Sequence, residues 1–329
     1  MATLRRSTVL LGTRGSTLAR AQTEWVAQRL RAAGVEVSVL PVRSVGDAFS
    51  ALRAALVAGE VDVVVHSYKD LPAAADSRVV VAAVPERADP RDALVARDGM
   101  VLGELPAGAV LGTASPRRAA QLRALGLGLR LVPIRGDVDS RIRRVAQGEL
   151  DGVVIAAAGL ARLGRIDETT ELLDPLQMLP APGQGALACE CRVDDLDTGH
   201  LLGTLLDDAG VRATVTAERA LLAWVAAGCS APVGALADVV EDLDDEGQVV
   251  LRLFLRGVAA TADDDLLRSS ATVPYSAGPY SAGPYFTAPY FTGELTDAEQ
   301  LGRQVAAELL DLGAGALGAD PALRGPGAA

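Results

Sequence analysis

Lysine is almost missing from this chain. Among 329 residues Lys69 is the one lysine, and every other cation is arginine. A composition so averse to lysine suggests that this residue does something a guanidinium cannot, the difference being a compact ammonium on a flexible stem. Cysteine is scarce too: Cys189, Cys191 and Cys229 make no disulfide framework. Aromatics amount to 3% of the chain, so its cores must be aliphatic, built from Val, Leu and Ala. Positive charge is in deficit, with a formal net charge of −11, which argues against a nucleic-acid backbone or an anionic membrane as partner. No apolar run reaches membrane-spanning length. Arg5 and Arg6 lead into a short strand and then polar Thr13-Arg14-Gly15-Ser16, which is no signal-peptide pattern. No Walker-type loop occurs, which lowers the odds of a nucleotide ligand. A soluble, cytoplasmic protein is expected.

What is present is ample apolar material: 50% hydrophobic residues and a mean hydropathy of +0.25. The length is too great for one ordinary core, so two or three domains are expected. The chain is organised around Val61-Asp62-Val63-Val64-Val65-His66-Ser67-Tyr68-Lys69-Asp70. Its β-branched run has no helical period and reads as a strand buried on both faces, as in a parallel sheet. Lys69 and Asp70 then fall at its carboxyl end, where open α/β sheets collect their ligands. The plainer alternative is a solvated Lys–Asp pair at a strand end.

In chain order, Val9–Gly12 reads as a strand that turns at Thr13–Ser16 into a helix capped by Ser16. Arg14 and Ser16 at that helix start suit an anion, although an ordinary capped turn has the same sequence. Val35–Val42 reads as a strand, Phe49–Ala58 as a helix and Val79–Val84 as a strand. The charged, proline-bracketed segment from Pro85 to Asp92 reads as a crossover between domains. The pattern then restarts. Val110–Gly112 is a strand, Thr113-Ala114-Ser115 a turn, and Ser115-Pro116 opens a helix bearing Arg117 and Arg118. A strand over Leu129–Pro133, a helix carrying Arg141, a strand over Gly152–Ala156 and a helix from Gly159 follow. Leu179–Gly185 is a second crossover, and Ala186–Cys191 a strand returning to the first lobe. From about Val211 a helix over Ala213–Ala226, strands at Val233–Leu236, Val249–Gly257 and Arg268–Val273, and a helix over Leu295–Leu312 make a small α+β domain. Two doubly wound lobes facing across a cleft are the expected architecture of the rest.

Seven cations fall at turns or helix starts: Arg14, Lys69, Arg117, Arg118, Arg135, Arg141 and Arg162. On an acidic chain, such a set lining one cleft implies a strongly anionic ligand, and guanidinium forks favour carboxylates or phosphates. Asp70 among them suggests an electrostatic or proton-transfer role toward a developing positive charge. Cys189-Glu190-Cys191 reads as a buried strand and not as a metal pair, since no thiol or His cluster completes four ligands; no metal is expected. Between Pro274 and Thr292 the dipeptide Pro-Tyr recurs with a period of five, which fits neither helix nor strand and reads as a surface insertion.

Eight motifs in this order carry a resemblance: Thr13–Ser16, His66–Asp70, Glu86–Ala93, Gly112–Arg118, Arg135–Val138, Ala158–Gly164, Pro182-Gly183-Gln184-Gly185, and Ala217–Ala220 followed by Gly228–Gly234. The chain resembles the hydroxymethylbilane synthase (porphobilinogen deaminase) family from Val9 to about Gly313. The resemblance implies two periplasmic-binding-protein-like doubly wound domains, residues 1–86 with 186–206 and residues 87–185. A smaller α+β domain, residues 207–329, completes the chain. It implies a transferase of tetrapyrrole and heme biosynthesis that joins four porphobilinogen units head to tail with loss of ammonia. The units are added to a dipyrromethane primer, and hydroxymethylbilane is released by hydrolysis. The primer's thioether matches Cys229, which on the residues alone reads as a plain buried thiol. The matching gives Asp70 as the catalytic residue, stabilising the azafulvene cation left by deamination. Lys69, Ser115, Arg117 and Arg118 fall on cofactor positions. Arg14, Ser16, Ser67, Thr113, Arg135, Arg141, Arg162 and Gln184 fall on positions that hold substrate carboxylates. A monomer with porphobilinogen as its small-molecule partner is expected.

The chain departs from the family in a shortened Gly-rich lid between Asp47 and Phe49, in Asp137 where Asn is common, and in the Pro-Tyr repeat. A shortened lid leaves two other readings: a member with impaired turnover, or a non-catalytic anion-binding module.

Overall fold

The computed structural model describes residues 8–42, 48–72, 76–225, 232–261, 265–276 and 296–314. The chain divides into two compact units: Met1–Ala88 with Ala186–Ala213 and Ser276–Thr296, and Asp89–Gly185 with Thr214–Tyr275 and Asp297–Ala329.

The first unit is built on β1 (Thr8–Thr13), α1 (Thr17–Ala32), β2 (Glu36–Pro41), α2 (Ala48–Val57), β3 (Val63–Ser67) and β4 (Val79–Ala83). β10 (Leu187–Arg192), from far along the chain, completes it, and α6 (Leu196–Leu205) follows. The sheet order is β2-β1-β3-β10-β4, as the returning strand Ala186–Cys191 required. β1 pairs in parallel with β2 and β3, whereas β10 runs antiparallel to β3 and β4. The sheet is therefore mixed, not wholly parallel as the valine run suggested. The run is buried throughout because successive side chains enter different cores. Val63 and Val65 join Leu11, Val26 and Leu30 on one face, and Val64 joins Leu52 and Leu56 of α2 on the other.

The second unit repeats the plan with β5 (Asp92–Ala96), β6 (Val110–Gly112), α3 (Pro116–Ala124), β7 (Arg130–Val132), α4 (Val138–Ala146), β8 (Gly152–Ala156), α5 (Ala157–Arg162) and β9 (Glu171–Leu172). Its sheet order is β7-β6-β8-β5-β9, with β6 parallel to β7 and β8, and β5 antiparallel to β8 and β9. Val153 and Ile155 pack with Ile142 and Val145 of α4, while Val154 packs with Leu122 of α3 and Met178. The last residue of β6 must be small: a Cβ on Gly112 would lie 2.9 Å from both Ile134 and Leu150. Gly12 near the end of β1 is hemmed in as well, since a Cβ there would lie 3.1 Å from both Val61 and Val64.

A separate antiparallel sheet in this unit orders β11 (Val233–Leu243), β12 (Val249–Ala260) and β13 (Leu266–Pro274). α7 (Ala209–Trp224) and α8 (Asp297–Asp311) supply Leu221, Val305 and Leu309, all fully buried, which close over Gly257 of β12. Strand β5 and helix α6 are absent from the sequence reading. Asp92–Ala96 is hidden behind a charged crossover, and α6 behind the acidic run Asp194–Asp197. Among the described residues no helix is long and apolar enough to cross a membrane.

Candidate active site

In the first unit the ends of adjacent parallel strands bring the first motifs together. Ser16 caps α1, its Oγ accepting from the Ala19 N–H at 3.3 Å. Ser67, buried at the end of β3, accepts from Gln22 Nε2 of α1 at 2.7 Å. Tyr68–Asp70 then forms one turn of 3₁₀-helix that leaves Lys69 half-buried and Asp70 exposed. Arg14 Nη2 stands 3.7 Å from Asp70 Oδ2. The carboxylate is thus beside a guanidinium and open to solvent, suited to stabilise a cation or to move a proton.

Beneath this turn lies a cluster that the sequence reading missed. Glu190 of β10 is fully buried and takes Arg53 Nε and Nη2 at 3.0 and 2.5 Å, with His66 Nε2 at 3.4 Å. Burial pushes the Glu190 carboxyl up, but His66 and Arg53 outweigh it and hold it below the usual range. Phe49 packs on the His66 ring at 5.0 Å and under the Arg53 guanidinium at 4.5 Å. The shortened lid segment itself falls on residues 43–47, outside the described residues.

In the second unit the Thr113–Arg118 turn is a chain of caps. Thr113 Oγ1 accepts from the Ser115 N–H at 3.2 Å, and Ser115 Oγ accepts from the Arg118 N–H at 3.4 Å, with Pro116 at the first helical position. Arg117 and Arg118 are only 3% and 6% exposed, and both turn onto Asp92, which is 0% exposed. Arg117 Nη2 reaches Asp92 Oδ2 at 2.7 Å, while Arg118 Nη2 and Nε reach Oδ1 at 2.7 and 3.1 Å. Their remaining Nη1 groups bind backbone carbonyls, Arg117 that of Leu179 and Arg118 that of Val154 at 2.9 Å. Burial pushes the Asp92 carboxyl up, yet the two guanidiniums overcome it and hold it well below the carboxylate range.

Gln184 donates to Asp92 Oδ1 at 2.8 Å and to the Pro90 carbonyl at 2.7 Å. The turn around it is fixed twice more: the Gly183 N–H donates to buried Glu218 of α7 at 2.6 Å, and Arg162 donates to the Gly185 carbonyl at 2.6 Å. Burial lowers the Arg162 guanidinium to about 10, still charged at neutral pH. Arg135 is exposed; Arg141 is half-buried and donates through Nε to the Gly136 carbonyl at 2.9 Å. Burial, and then the charge of Arg118, lowers Arg141. Asp137 serves as N-cap of α4, accepting from the Ser140 N–H at 2.8 Å, which accounts for an acid at that position.

Within each unit taken by itself, the donors suit carboxylates such as those of dipyrromethane. The bonds at Ser16, Ser67, Thr113 and Ser115 use oxygen lone pairs, leaving each O–H to donate. Arg117 and Arg118 share one carboxylate, and Arg117 Nε is buried without an acceptor. Cys229 lies outside the described residues. Cys189 and Cys191 are buried in the core of the first unit, and among the described residues no cluster of His, Cys, Asp and Glu is grouped to hold a metal. Asp92, Glu218 and Gln22 were not singled out from the sequence. The signal for Asp92 was an acid heading the apolar run Ala93–Ala96.

Comparison with known proteins agrees with the motifs. Residues 9–200 match the family model for the porphobilinogen deaminase dipyrromethane cofactor binding domain, and residues 212–274 match that for the porphobilinogen deaminase C-terminal domain. The porphobilinogen deaminase of Nocardia farcinica is 53% identical over 97% of this chain and 90% of its own length. That of Mycobacteroides abscessus is 53% identical over 94% and 99%, and that of Mycobacterium marinum 51% over 93% and 95%. Among solved structures, a methionine-bound nutrient binding protein from Burkholderia cenocepacia is 15% identical, with a TM-score of 0.39, over 59% of this chain and 90% of its own. With its eight motifs in order and both family models matched along its length, the chain belongs to the porphobilinogen deaminase family.

Proposed function

We propose that this chain is a hydroxymethylbilane synthase, a transferase that condenses four porphobilinogen units head to tail with loss of ammonia and releases the linear tetrapyrrole by hydrolysis. The observation that carries the proposal is the Arg14–Asp70 pair at the carboxyl ends of β1 and β3, an accessible carboxylate held beside a guanidinium. When porphobilinogen loses ammonia, the pyrrole left behind is electron-poor, and Asp70 stabilises that cation and orients the pyrrole N–H. Each pyrrole carries an acetate and a propionate. Arg14, Ser16, Ser67, Thr113, Arg135, Arg141, Arg162 and Gln184 hold these, the guanidiniums by paired hydrogen bonds and the hydroxyls by donation. Lys69, Ser115, Arg117 and Arg118 hold the dipyrromethane cofactor, with Cys229 as its thioether anchor. When bound, that cofactor supplies the pyrrole carbon to which the first unit is joined. The reading includes a three-domain division near residues 86, 185 and 206, a cytoplasmic location and a monomer.

Intact mass of the purified chain, with Cys229→Ser beside it, tests this. The expected result is an adduct of dipyrromethane mass on the chain and none on the variant. An unmodified chain from cells that make tetrapyrroles would overturn the proposal in favour of a non-catalytic anion-binding module.

A further inference from the structure

Asp92 has no role in the reaction described above, yet three residues assigned to ligand binding converge on it. We propose that Asp92 is a positioning residue that sets the guanidiniums of Arg117 and Arg118 for the cofactor's carboxylates. The inference rests on the reading that those two arginines hold dipyrromethane.

The argument begins from charge. A buried ion pair kept for architecture alone is best balanced, because each uncompensated charge away from water is costly. Here one carboxylate, 0% exposed, serves two guanidiniums, with Arg141 close enough for its charge state to feel Arg118. One positive charge is left in excess at the start of α3, where the helix's own free N–H groups already favour an anion. The arrangement is incomplete without a negatively charged ligand.

Geometry gives Asp92 the directing part. Arg117 is fixed between Asp92 Oδ2 and the Leu179 carbonyl, and Arg118 between Asp92 Oδ1 and the Val154 carbonyl. Two anchor points define the plane of each fork. Gln184, bonded to Oδ1 and to the Pro90 carbonyl, holds the carboxylate. A guanidinium has five N–H donors, so each fork still has donors beyond those anchors. An amide at position 92 would offer one arginine an NH₂ in place of an acceptor and release its plane.

The test uses the full chain, with cofactor loading read by intact mass and folding by thermal unfolding of the same samples. For Asp92→Asn the expected result is a cooperative melt with at least a tenfold fall in the loaded fraction. Asp92→Glu keeps the charge but shifts it by one methylene, and should load at least threefold more slowly with its melting midpoint little changed. In an Arg118→Met background, Asp92→Asn should cost markedly less loading than in the wild type, since Asp92 acts through the arginines. If the Asn variant does not melt cooperatively, the Glu variant decides. Wild-type loading in a folded Asp92→Asn or Asp92→Glu variant overturns the positioning role alone. A wild-type chain without adduct overturns the functional reading and this role with it.

Discussion

Arg53 grips Glu190 with two nitrogens, Nε at 3.0 Å and Nη2 at 2.5 Å, so that α2 is tied to β10, a strand more than 130 residues later in the sequence. Removing one partner leaves the other charge buried. Arg53→Met should lower stability by about 3–5 kcal/mol, the usual cost of breaking a buried pair. Urea unfolding of the variant against the wild type measures this.

The same carboxyl sets an acid limit. Its folded pKa lies below the unfolded value, so the unfolded state binds its proton more readily. The stabilisation is present above the ordinary Glu pKa of about 4.3, and is lost as pH falls below that toward the folded value. Unfolding midpoints measured from pH 7 down to pH 3.5 should fall in that window, and Glu190→Gln should flatten the dependence.

Asp70 and Arg14 predict the opposite pattern, loss of activity without loss of fold. Their pair is exposed, and such pairs contribute about 0–1 kcal/mol. Asp70→Asn should therefore melt within a degree or two of the wild type and keep its cofactor. Its kcat should fall by ~10²-fold or more, in line with the 10²–10⁴-fold worth of a positioned proton-transfer group. Steady-state kinetics on porphobilinogen supply the check.

Thiol counting gives an inexpensive test of the cofactor anchor. Burial, followed by the charges of Asp207 at Cys189 and Asp195 at Cys191, pushes both thiols up to about 12, so neither reacts while folded. The loaded chain should show two reactive thiols after denaturation, whereas an unloaded chain should show all three.

Close packing in the second unit predicts a local weak point. A Cβ on Gly302 of α8 would press on the Ala217 carbonyl and lie 2.6 Å from Ala220 Cβ. Gly302→Ala should cost about 1–3 kcal/mol by overpacking, even though alanine is the better helix former. Thermal unfolding would show the sign.

The sequence made the repeated strand–turn–helix plan readable because its signals are local. Valine runs mark strands with two buried faces, and Ser16, Ser115 and Pro116 mark helix starts in the sequence itself. β5 is invisible on those terms. Asp92 heads an apolar strand behind four charged residues and two prolines, and its burial is possible only because Arg117 and Arg118 arrive from α3. The cations show the same divide. Their positions at turns could be read from residue types, but whether a guanidinium faces solvent or an internal carboxylate depends on residues distant in sequence.

The place of β10 between β3 and β4 bears on how the chain is made. Until Arg192 has been synthesised, β4 has no strand to pair with and one edge of the valine-rich β3 stays bare. Every strand of the second unit's α/β sheet, from Asp92 to Leu172, leaves the ribosome in that interval. At about 5–20 residues per second the interval lasts on the order of ten seconds. An open apolar edge of that lifetime invites pairing between nascent chains, so soluble yield should depend on chaperone supply and elongation rate more than the finished protein's stability would suggest.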